Sequence, residues 1–441
     1  MTGTFDLIIK GAAVTTHRVS EVADVGVRDG KTAAIGDLSQ ADAGTVIPAR
    51  GLHLLPGGMD TQVHFREPGA EHKEDLESGS RAAVAGGVTA VFEMPNTNPS
   101  TTTPEAIDDK LKRAQGRMWT DHAFYVGASA ENADDLAELE RIPGTSGVKI
   151  FMGSSTGTLL VPDDETLLRA MKSGRRRVAV HAEDEARLEE RKHLAEQGGP
   201  EQHPIWRDVD TALLATKRAV AAAREANRPV HILHVTTAAE MEFLAGQKDI
   251  ATVETTPQHL TLEAPDCYQR LGTYAQMNPP IRAGQLDGLW RAVQDGVVDV
   301  IGSDHAPHTH EEKGKPYPSS PAGMPGVQTL LPLLLNHASQ ERLSLARLVE
   351  LTSLTATRIF GISGKGQLEE GFDADYTLVD LKHRWTVGED WIQSKCGWSP
   401  FTDMQLTGKP MGTIIRGHRV MWEDELCGAP IGEPIRFDAT G

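Results

Sequence analysis

Short apolar runs recur through the middle of the chain, and helical patterns or long loops separate each run from the next. Eight such runs lie at residues 57–69, 89–94, 122–126, 147–152, 177–181, 229–235, 250–254 and 297–302. Strands that alternate with helices over this length predict a (β/α)8 barrel, a TIM barrel of the α/β class. A doubly wound open sheet is the alternative, but no Gly-x-Gly-x-x-Gly sequence opens a helix here.

The two ends of the chain show a different pattern, with short strands and tight turns. Residues 25–28 and 32–35 flank Asp29-Gly30, a strong signal for a two-residue hairpin. Short strands return at 375–380 and 412–421. We therefore expect residues 1–54 and 362–441 to pair into one small β domain that flanks a catalytic barrel of residues 55–361.

The first barrel strand carries an unusual row of polar residues. Asp60, Gln62, His64 and Arg66 alternate along it, so their side chains share one face of an extended strand. Because buried polar groups cost free energy unless they are paired, this face indicates a site for ions or an anionic ligand. The alternative is an edge strand with one solvated face.

Further polar residues fall near the same end of the later strands. They are Asn96, Lys149, His181, His234 and Asp304. In a barrel the carboxyl ends of all strands meet at one mouth, where active sites form. A single histidine on a strand is usually a hydrogen-bonded core residue, but this convergence predicts one shared site.

Three histidines, an aspartate and a lysine at one mouth suit a divalent metal such as Zn²⁺, which binds imidazole and carboxylate and can activate water. Lys149 fits such a site if burial neutralises its amine and the amine reacts with carbon dioxide. The resulting carbamate is a carboxylate that can bridge two metals. An unmodified Lys149 paired with an acid is the alternative.

The segment that follows the last strand supplies further roles. Asp304 can bind metal, accept a proton from water and pass it to a leaving nitrogen. Arg66, Asn96 and His308 together form a predicted cradle for an anion, with charge on Arg66 and His308. Four other histidines are expected to be structural or to support the site: His231, His259, His305 and His310.

Composition narrows the classes of partner and compartment. The chain has 441 residues and a formal net charge of -18, which argues against nucleic acid or an anionic membrane as partner. Its three scattered cysteines form neither a disulfide framework nor a paired zinc motif. With no visible signal peptide or membrane-spanning run, we expect a cytoplasmic enzyme with a small-molecule substrate.

Five segments together resemble the dihydroorotase branch of the amidohydrolase superfamily. They are Gly58-x-Asp60-x-Gln62-x-His64-x-Arg66-Glu67-Pro68-Gly69, Met94-Pro95-Asn96-Thr97-Asn98-Pro99, Val180-His181-Ala182-Glu183, His231-x-x-His234-Val235 and Asp304-His305-Ala306-Pro307-His308. The resemblance implies a metal-dependent cyclic amidohydrolase that reversibly hydrolyses (S)-dihydroorotate to N-carbamoyl-L-aspartate in de novo pyrimidine biosynthesis. It also implies a homo-oligomer, a dimer or tetramer.

The resemblance implies a role for each matching residue. His181 and His234 would bind one zinc ion, His64 would bind a second, and Asp304 would be both a ligand and the acid–base group. Lys149 would be the carbamylated lysine that bridges the metals. The substrate would be held by Arg66, Asn96 and His308 at its carboxylate and by Asn278 near its ring.

One position departs from the family pattern. The first strand of the family reads His-x-His, whereas Gln62 replaces the first histidine here. An amide oxygen is a poorer ligand than imidazole for such metals, so Gln62 is an uncertain ligand and one or two ions are expected per chain. Glu93 has the opposite parity to Asn96 on its strand and is not expected to compensate.

Two other functions remain open at this point. A related cyclic-ureide hydrolase, like a hydantoinase or allantoinase, would keep the chemistry but would have no use for a carboxylate cradle. An inactive dihydroorotase-like subunit that supports aspartate transcarbamoylase would explain Gln62, although such a subunit would be expected to lose several ligands rather than one.

Overall fold

The computed structural model describes residues 4–155 and 157–438. Its strands form a nine-stranded sheet built from both ends of the chain and an eight-stranded parallel sheet built from the middle. The N-terminal strands of the first sheet are β1 Phe5–Thr15, β2 Ser20–Arg28, β3 Lys31–Gly36, β4 Ala43–Pro48 and β5 His53–Pro56. The outermost residues of the predicted small domain, 1–3 and 439–441, lie outside the described residues.

The predicted hairpin at Asp29-Gly30 is confirmed. β2 and β3 pair antiparallel on either side of it. Asp29 and Gly30 have φ angles of 52° and 71°, and two successive positive φ angles are what a type I′ turn requires. The turn residues therefore explain this part of the sheet directly.

The middle of the chain forms the predicted (β/α)8 barrel. Its strands are β6 Gly58–Val63, β7 Val88–Glu93, β8 Asp121–Gly127, β9 Thr145–Phe151, β10 Val178–His181, β11 Val230–Ile232, β12 Ala251–Thr255 and β13 Val300–Ile301. Each strand pairs in parallel with the next, from β6 to β13. The backbone N–H of His64 donates to the carbonyl of His305 at 2.7 Å and links the two end strands.

Helices separate most of these strands. They are α1 Leu76–Ala85, α2 Pro104–Ala114, α3 Leu136–Leu139, α4 Asp164–Lys172, α5 Glu185–Arg191, α6 His203–Trp206, α7 Val209–Ala226, α8 Ala238–Ala245, α9 Asp266–Leu271, α10 Leu286–Gln294, α11 His310–Lys313, α12 Leu330–Ser339, α13 Leu345–Val349 and α14 Thr355–Phe360. No helix in the described part of the chain has the length and apolarity to cross a membrane.

The barrel strands are buried on both faces because helices cover the outside and side chains fill the inside. Every residue of β8 is buried. Ala123 and Tyr125 pack with Phe92 in one core cluster, whereas Val126 packs with Val148 in another. Alternate side chains of one strand thus enter two different cores, as a period of two requires.

The C-terminal part of the chain completes the nine-stranded sheet and also touches the barrel. Its strands are β14 Tyr376–Thr386, β15 Gln405–Ile415, β16 His418–Trp422 and β17 Glu425–Leu426. Beyond β17, Ile435 donates its N–H to the carbonyl of His122 in β8 at 2.8 Å. Between β14 and β15, the Trp398 indole donates to the carbonyl of His308 at 2.8 Å. The predicted domain bounds themselves stay a prediction.

A buried ion network joins the barrel to the small sheet. The Lys365 ammonium contacts Asp121 at 2.5 Å, Asp375 at 2.6 Å and Asp373 at 3.1 Å. Asp121 begins β8, whereas Asp373 and Asp375 precede β14. Lys365 and the three carboxylates are each at most 5% exposed. Lys365 thus joins carboxylates from two parts of the fold, and Arg416 and Lys31 also pair with Asp121 and Asp373.

Replacing Lys365 with methionine should lower the free energy of unfolding by about 3 kcal/mol, because removing one partner of a buried ion pair leaves the other uncompensated. Equilibrium unfolding in urea measures this change. Lys112→Met is the control, since Lys112 pairs with Asp108 on an exposed helix surface and its loss should cost less than about 0.5 kcal/mol. Equal losses in the two variants would show that the network is not stabilising.

Candidate active site

A cavity at the carboxyl ends of the barrel strands brings together nearly all the residues predicted from the sequence. Its lining includes Gln62, His64, Arg66, Asn96, Lys149, His181, His234, Asn278 and Asp304. His308 does not line this cavity. It contacts Arg66 instead, with 3.3 Å between Arg66 Nη2 and His308 Nε2. Phe151, Ser155, Ala306, Ala322 and Gly323 complete the wall.

Three of these residues have an unusual backbone conformation. The φ angles of Arg66, His234 and Asp304 are 64°, 36° and 46°, in a region that residues other than glycine rarely occupy. Each residue follows the end of a barrel strand, where the chain turns sharply. Such strain is typical of functional sites, since the surrounding fold must impose it.

His64 and Asp304 form the first pair of candidate metal ligands. His64 Nε2 lies 3.2 Å from Asp304 Oδ1, and Gln62 Nε2 donates to the same oxygen at 3.1 Å. Burial lowers the pKa of His64, so its ring is neutral. Its Nδ1 lies 2.8 Å from Asn96 Oδ1, so the single N–H of the neutral ring can donate to Asn96 or to Asp304, but not to both.

His181 and His234 form the second pair. His181 Nε2 donates to Glu183 Oε2 at 3.0 Å, so the lone pair of the neutral ring is on Nδ1. That nitrogen lies 3.0 Å from His234 Nε2. Burial raises the pKa of Glu183, but Arg207 and His181 outweigh burial and hold it well below its usual value. Arg207 donates to Glu183 Oε2 at 2.7 Å, and an ionised Glu183 therefore sets the tautomer of His181.

Lys149 lies in the same cavity as both pairs. Its side chain is fully buried, and its Nζ has no hydrogen-bond partner among the described residues. Burial lowers the pKa of Lys149 to about 7. A large fraction of the amine is therefore neutral and nucleophilic at neutral pH.

These residues fit a divalent metal. Within residues 4–155 and 157–438, no three His, Cys, Asp or Glu side chains are grouped closely enough to hold an ion. The candidate ligands instead form two pairs of donors, both lining a cavity that also contains an unpartnered amine. His234 Nδ1 is also buried without a partner. Neutral imidazoles beside a carboxylate are donors that zinc prefers.

Arg66 places a buried positive charge at the cavity, on which Asp304 and Glu93 act without forming an ion pair. Its side chain is buried, its Nε donates to the carbonyl of Pro307 at 3.1 Å, and no carboxylate in the described part of the chain pairs with it. Burial lowers its pKa to about 10, so the guanidinium remains charged. Burial and then Arg66 lower the pKa of His308 to about 3, so Arg66 rather than His308 carries the charge here.

His203 orients Asn278 at the cavity wall. Burial lowers the pKa of His203 to about 3, and its neutral ring has Nε2 at 2.9 Å from Asn278 Oδ1 and 3.2 Å from the carbonyl of Met277. Both of these oxygens are acceptors, so Nε2 carries the proton. Asn278 is thereby fixed with its amide at the cavity.

Sequence reasoning missed Glu183, Arg207 and His203. Glu183 follows His181 by two residues, so its position in the Val180–Glu183 motif could have indicated an orienting role. Arg207 and His203 lie more than twenty residues from the histidine or asparagine that they support, and no local pattern marks them. His231, His259 and His305, expected to be structural, are buried and do not line the cavity.

Comparisons with known proteins identify the family of this chain. Residues 53–420 match the model of the amidohydrolase family, and the chain belongs to that family. A protein named dihydroorotase from Methanosarcina mazei is 35% identical over 452 residues, covering 99% of this chain and 98% of its own. A protein named allantoinase from Rubrobacter xylanophilus is 36% identical over 447 residues, covering 98% of both chains.

Among solved structures, an L-hydantoinase (dihydropyrimidinase) from Arthrobacter aurescens is similar with a TM-score of 0.93 and 30% sequence identity. The similarity covers 98% of this chain and 99% of that chain. The predicted family and the coarse class, a cyclic amidohydrolase, are therefore confirmed. Members of this family are generally metal-dependent. The names of the relatives, dihydroorotase, allantoinase and hydantoinase, refer to different ring substrates.

Replacing Glu183 with glutamine should weaken metal binding about 10- to 100-fold, because His181 would lose the carboxylate that fixes its tautomer. Competition with a chromogenic chelator measures the affinity. Glu190→Gln, an exposed position on the same segment, is the control and should bind metal like the parent protein. An unchanged affinity in the Glu183 variant would remove the orienting role.

Proposed function

We propose that this enzyme is a dihydroorotase, which reversibly hydrolyses the cyclic amide of (S)-dihydroorotate to N-carbamoyl-L-aspartate. The observation that carries the proposal is the buried Arg66 guanidinium, which lines the cavity without a carboxylate partner among the described residues. A buried charge is costly unless it is paired, and the carboxylate of dihydroorotate supplies the missing anion. The dihydroorotase names among the relatives support the same substrate.

The ligands for a divalent ion, taken as Zn²⁺, are His64, His181, His234 and Asp304, with Lys149 as a carbamate. Lys149 acquires this form when its neutral amine attacks carbon dioxide, which forms an N–C bond and releases one proton. A metal at these residues supplies a Lewis acid that lowers the pKa of water and polarises a carbonyl.

Asp304 is the proposed acid–base residue. Its Oδ1 is contacted by Gln62 and His64, which hold the carboxylate at the mouth of the barrel. From that position the carboxylate accepts the proton of the attacking water and transfers it to the ring nitrogen as the amide bond breaks. The reverse transfers close the ring.

Arg66, Asn96, Asn278 and His308 hold the substrate in this proposal. Arg66 pairs with the carboxylate, since its planar guanidinium can donate two parallel hydrogen bonds. His308, neutral and packed against Arg66, supports that group and contributes hydrogen bonding rather than charge. Asn278, held by His203, directs its amide toward the ring.

Two other activities compete with dihydroorotate hydrolysis. Relatives named allantoinase and hydantoinase make a neutral cyclic ureide the second candidate substrate, but a neutral ring would leave Arg66 unpaired. An inactive subunit associated with aspartate transcarbamoylase is the third candidate. Gln62 replaces the first histidine of the family pattern, but every other predicted ligand lines the cavity, which favours an active enzyme.

We also assign the enzyme to de novo pyrimidine biosynthesis in the cytoplasm, as a dimer or tetramer. Association with aspartate transcarbamoylase remains compatible with an active enzyme. Size-exclusion chromatography with light scattering, with and without that partner, tests the oligomeric state and the association.

Replacing Arg66 with methionine should lower kcat/KM for dihydroorotate at least about 100-fold, because a charged hydrogen-bonded pair with the substrate carboxylate is lost. Dihydrouracil is the matched substrate, since it has the same ring without the carboxylate. The parent enzyme should prefer dihydroorotate over dihydrouracil, hydantoin and allantoin, and the variant should lose that preference. A parent enzyme that prefers a neutral ring would contradict the proposed substrate.

Replacing Gln62 with histidine should raise the metal content of the purified chain toward two ions, because imidazole is a better ligand than an amide oxygen. Elemental analysis of the parent and variant measures this count without an assay of activity. Gln258→His, a buried glutamine that does not line the cavity, is the control. Two ions in the parent protein would show that Gln62 does not limit metal binding.

A further inference from the structure

Lys313 is a buried lysine at the edge of the active site, and burial lowers the pKa of its amine to about 7. Its side chain is fully buried, and in the described part of the chain no carboxylate pairs with it. Its Nζ donates to the carbonyls of Gln276 at 3.3 Å, Pro321 at 2.9 Å and Gly323 at 3.0 Å. An ammonium has three hydrogens, so these three acceptors satisfy it fully.

The three carbonyls belong to two segments that form one wall of the cavity. Gln276 precedes Asn278 by two residues, and Pro321 directly precedes Ala322 and Gly323, which line the cavity. The Gly323 N–H also donates to the Gln276 carbonyl at 2.8 Å. Lys313 therefore fastens the two segments to each other and to α11.

Stability alone does not account for this arrangement. Burying an ammonium without a counter-ion is costly, and neutral donors could join the same carbonyls at a lower cost. The ring of Trp398 also faces the Lys313 amine, with its centroid 5.9 Å from Nζ.

We propose that Lys313 is a positioning residue of the substrate site, which holds residues 276–278 and 321–323 in place. The substrate it helps to bind is the carboxylate-bearing ring of the proposed function, on which this inference rests. Lys313 takes no part in the bond-breaking step and acts through the wall that it fixes.

Lys313→Met and Lys313→Gln test the proposal by steady-state kinetics with dihydroorotate. The methionine variant should raise KM about tenfold or more and change kcat less than about threefold, because substrate binding rather than chemistry is affected. The glutamine variant keeps an amide donor and should raise KM less. Lys315→Met, on the exposed side of the same segment, should match the parent, and all three variants should keep the parent metal content.

Hydrogen exchange provides a readout that does not depend on activity. The amide of Gly323 should exchange about tenfold faster in the methionine variant, because local opening is no longer opposed by Lys313, while the amide of Ile150 in β9 should not change. The glutamine variant serves both measurements if the methionine variant fails to fold.

The possible failures are distinguishable. A parent enzyme without dihydroorotate activity would refute the proposed function, and the Gly323 amide would still test the positioning role. Folded Lys313 variants with unchanged KM, or with unchanged exchange at Gly323, would overturn the role of Lys313. A loss of metal or a fall in kcat alone would also overturn it.

Discussion

The active site depends on the contact between the first and last strands of the barrel. Asp60 accepts the backbone N–H of Ser303 at 2.9 Å, and His64 donates its own N–H to the carbonyl of His305 at 2.7 Å. These two bonds fix the register between β6 and the segment after β13. As a result, His64 and Asp304 meet although they are 240 residues apart in the chain. Each residue alone is a buried polar group, and together they form half of the candidate metal site.

The buried basic side chains include some that pair with carboxylates and some that do not. Lys110 and Lys365 are buried against carboxylates, so their charges are neutralised within the fold. Arg66, Lys149 and Lys313 are also buried, but no described carboxylate pairs with them. A buried unpaired charge costs free energy, and burial accordingly lowers the pKa of Lys149 and Lys313 to about 7, whereas Arg66 stays charged. The three solutions differ: we infer that Arg66 awaits an anion, that Lys149 loses its charge and reacts, and that Lys313 is surrounded by carbonyl groups.

The sequence predicts the barrel and most of the site for a physical reason. Strand ends of a parallel barrel converge at one mouth, so polar residues at the ends of apolar runs, such as His181 and Asp304, can be assigned to one cavity before any contact is known. Groups that orient these side chains cannot be found in the same way. Arg207 and His203 belong to the segment between β10 and α7, and only tertiary packing brings them to Glu183 and Asn278.

Gln62 is a weak ligand, and its position also lets it compete with an ion for Asp304. Its Nε2 donates to Asp304 Oδ1, the oxygen that also faces His64. A histidine at this position could present a lone pair to an ion, whereas the amide hydrogen of Gln62 instead occupies a lone pair of Asp304. Glu93, at the end of the neighbouring strand β7, cannot take its place, because its carboxylate is buried against Lys110 of α2. The His64 side is therefore weakened by a poor ligand and by competition for Asp304, while His181 keeps its orienting partner, Glu183. We infer that the two halves of the site differ in metal affinity, with the His181 half the stronger.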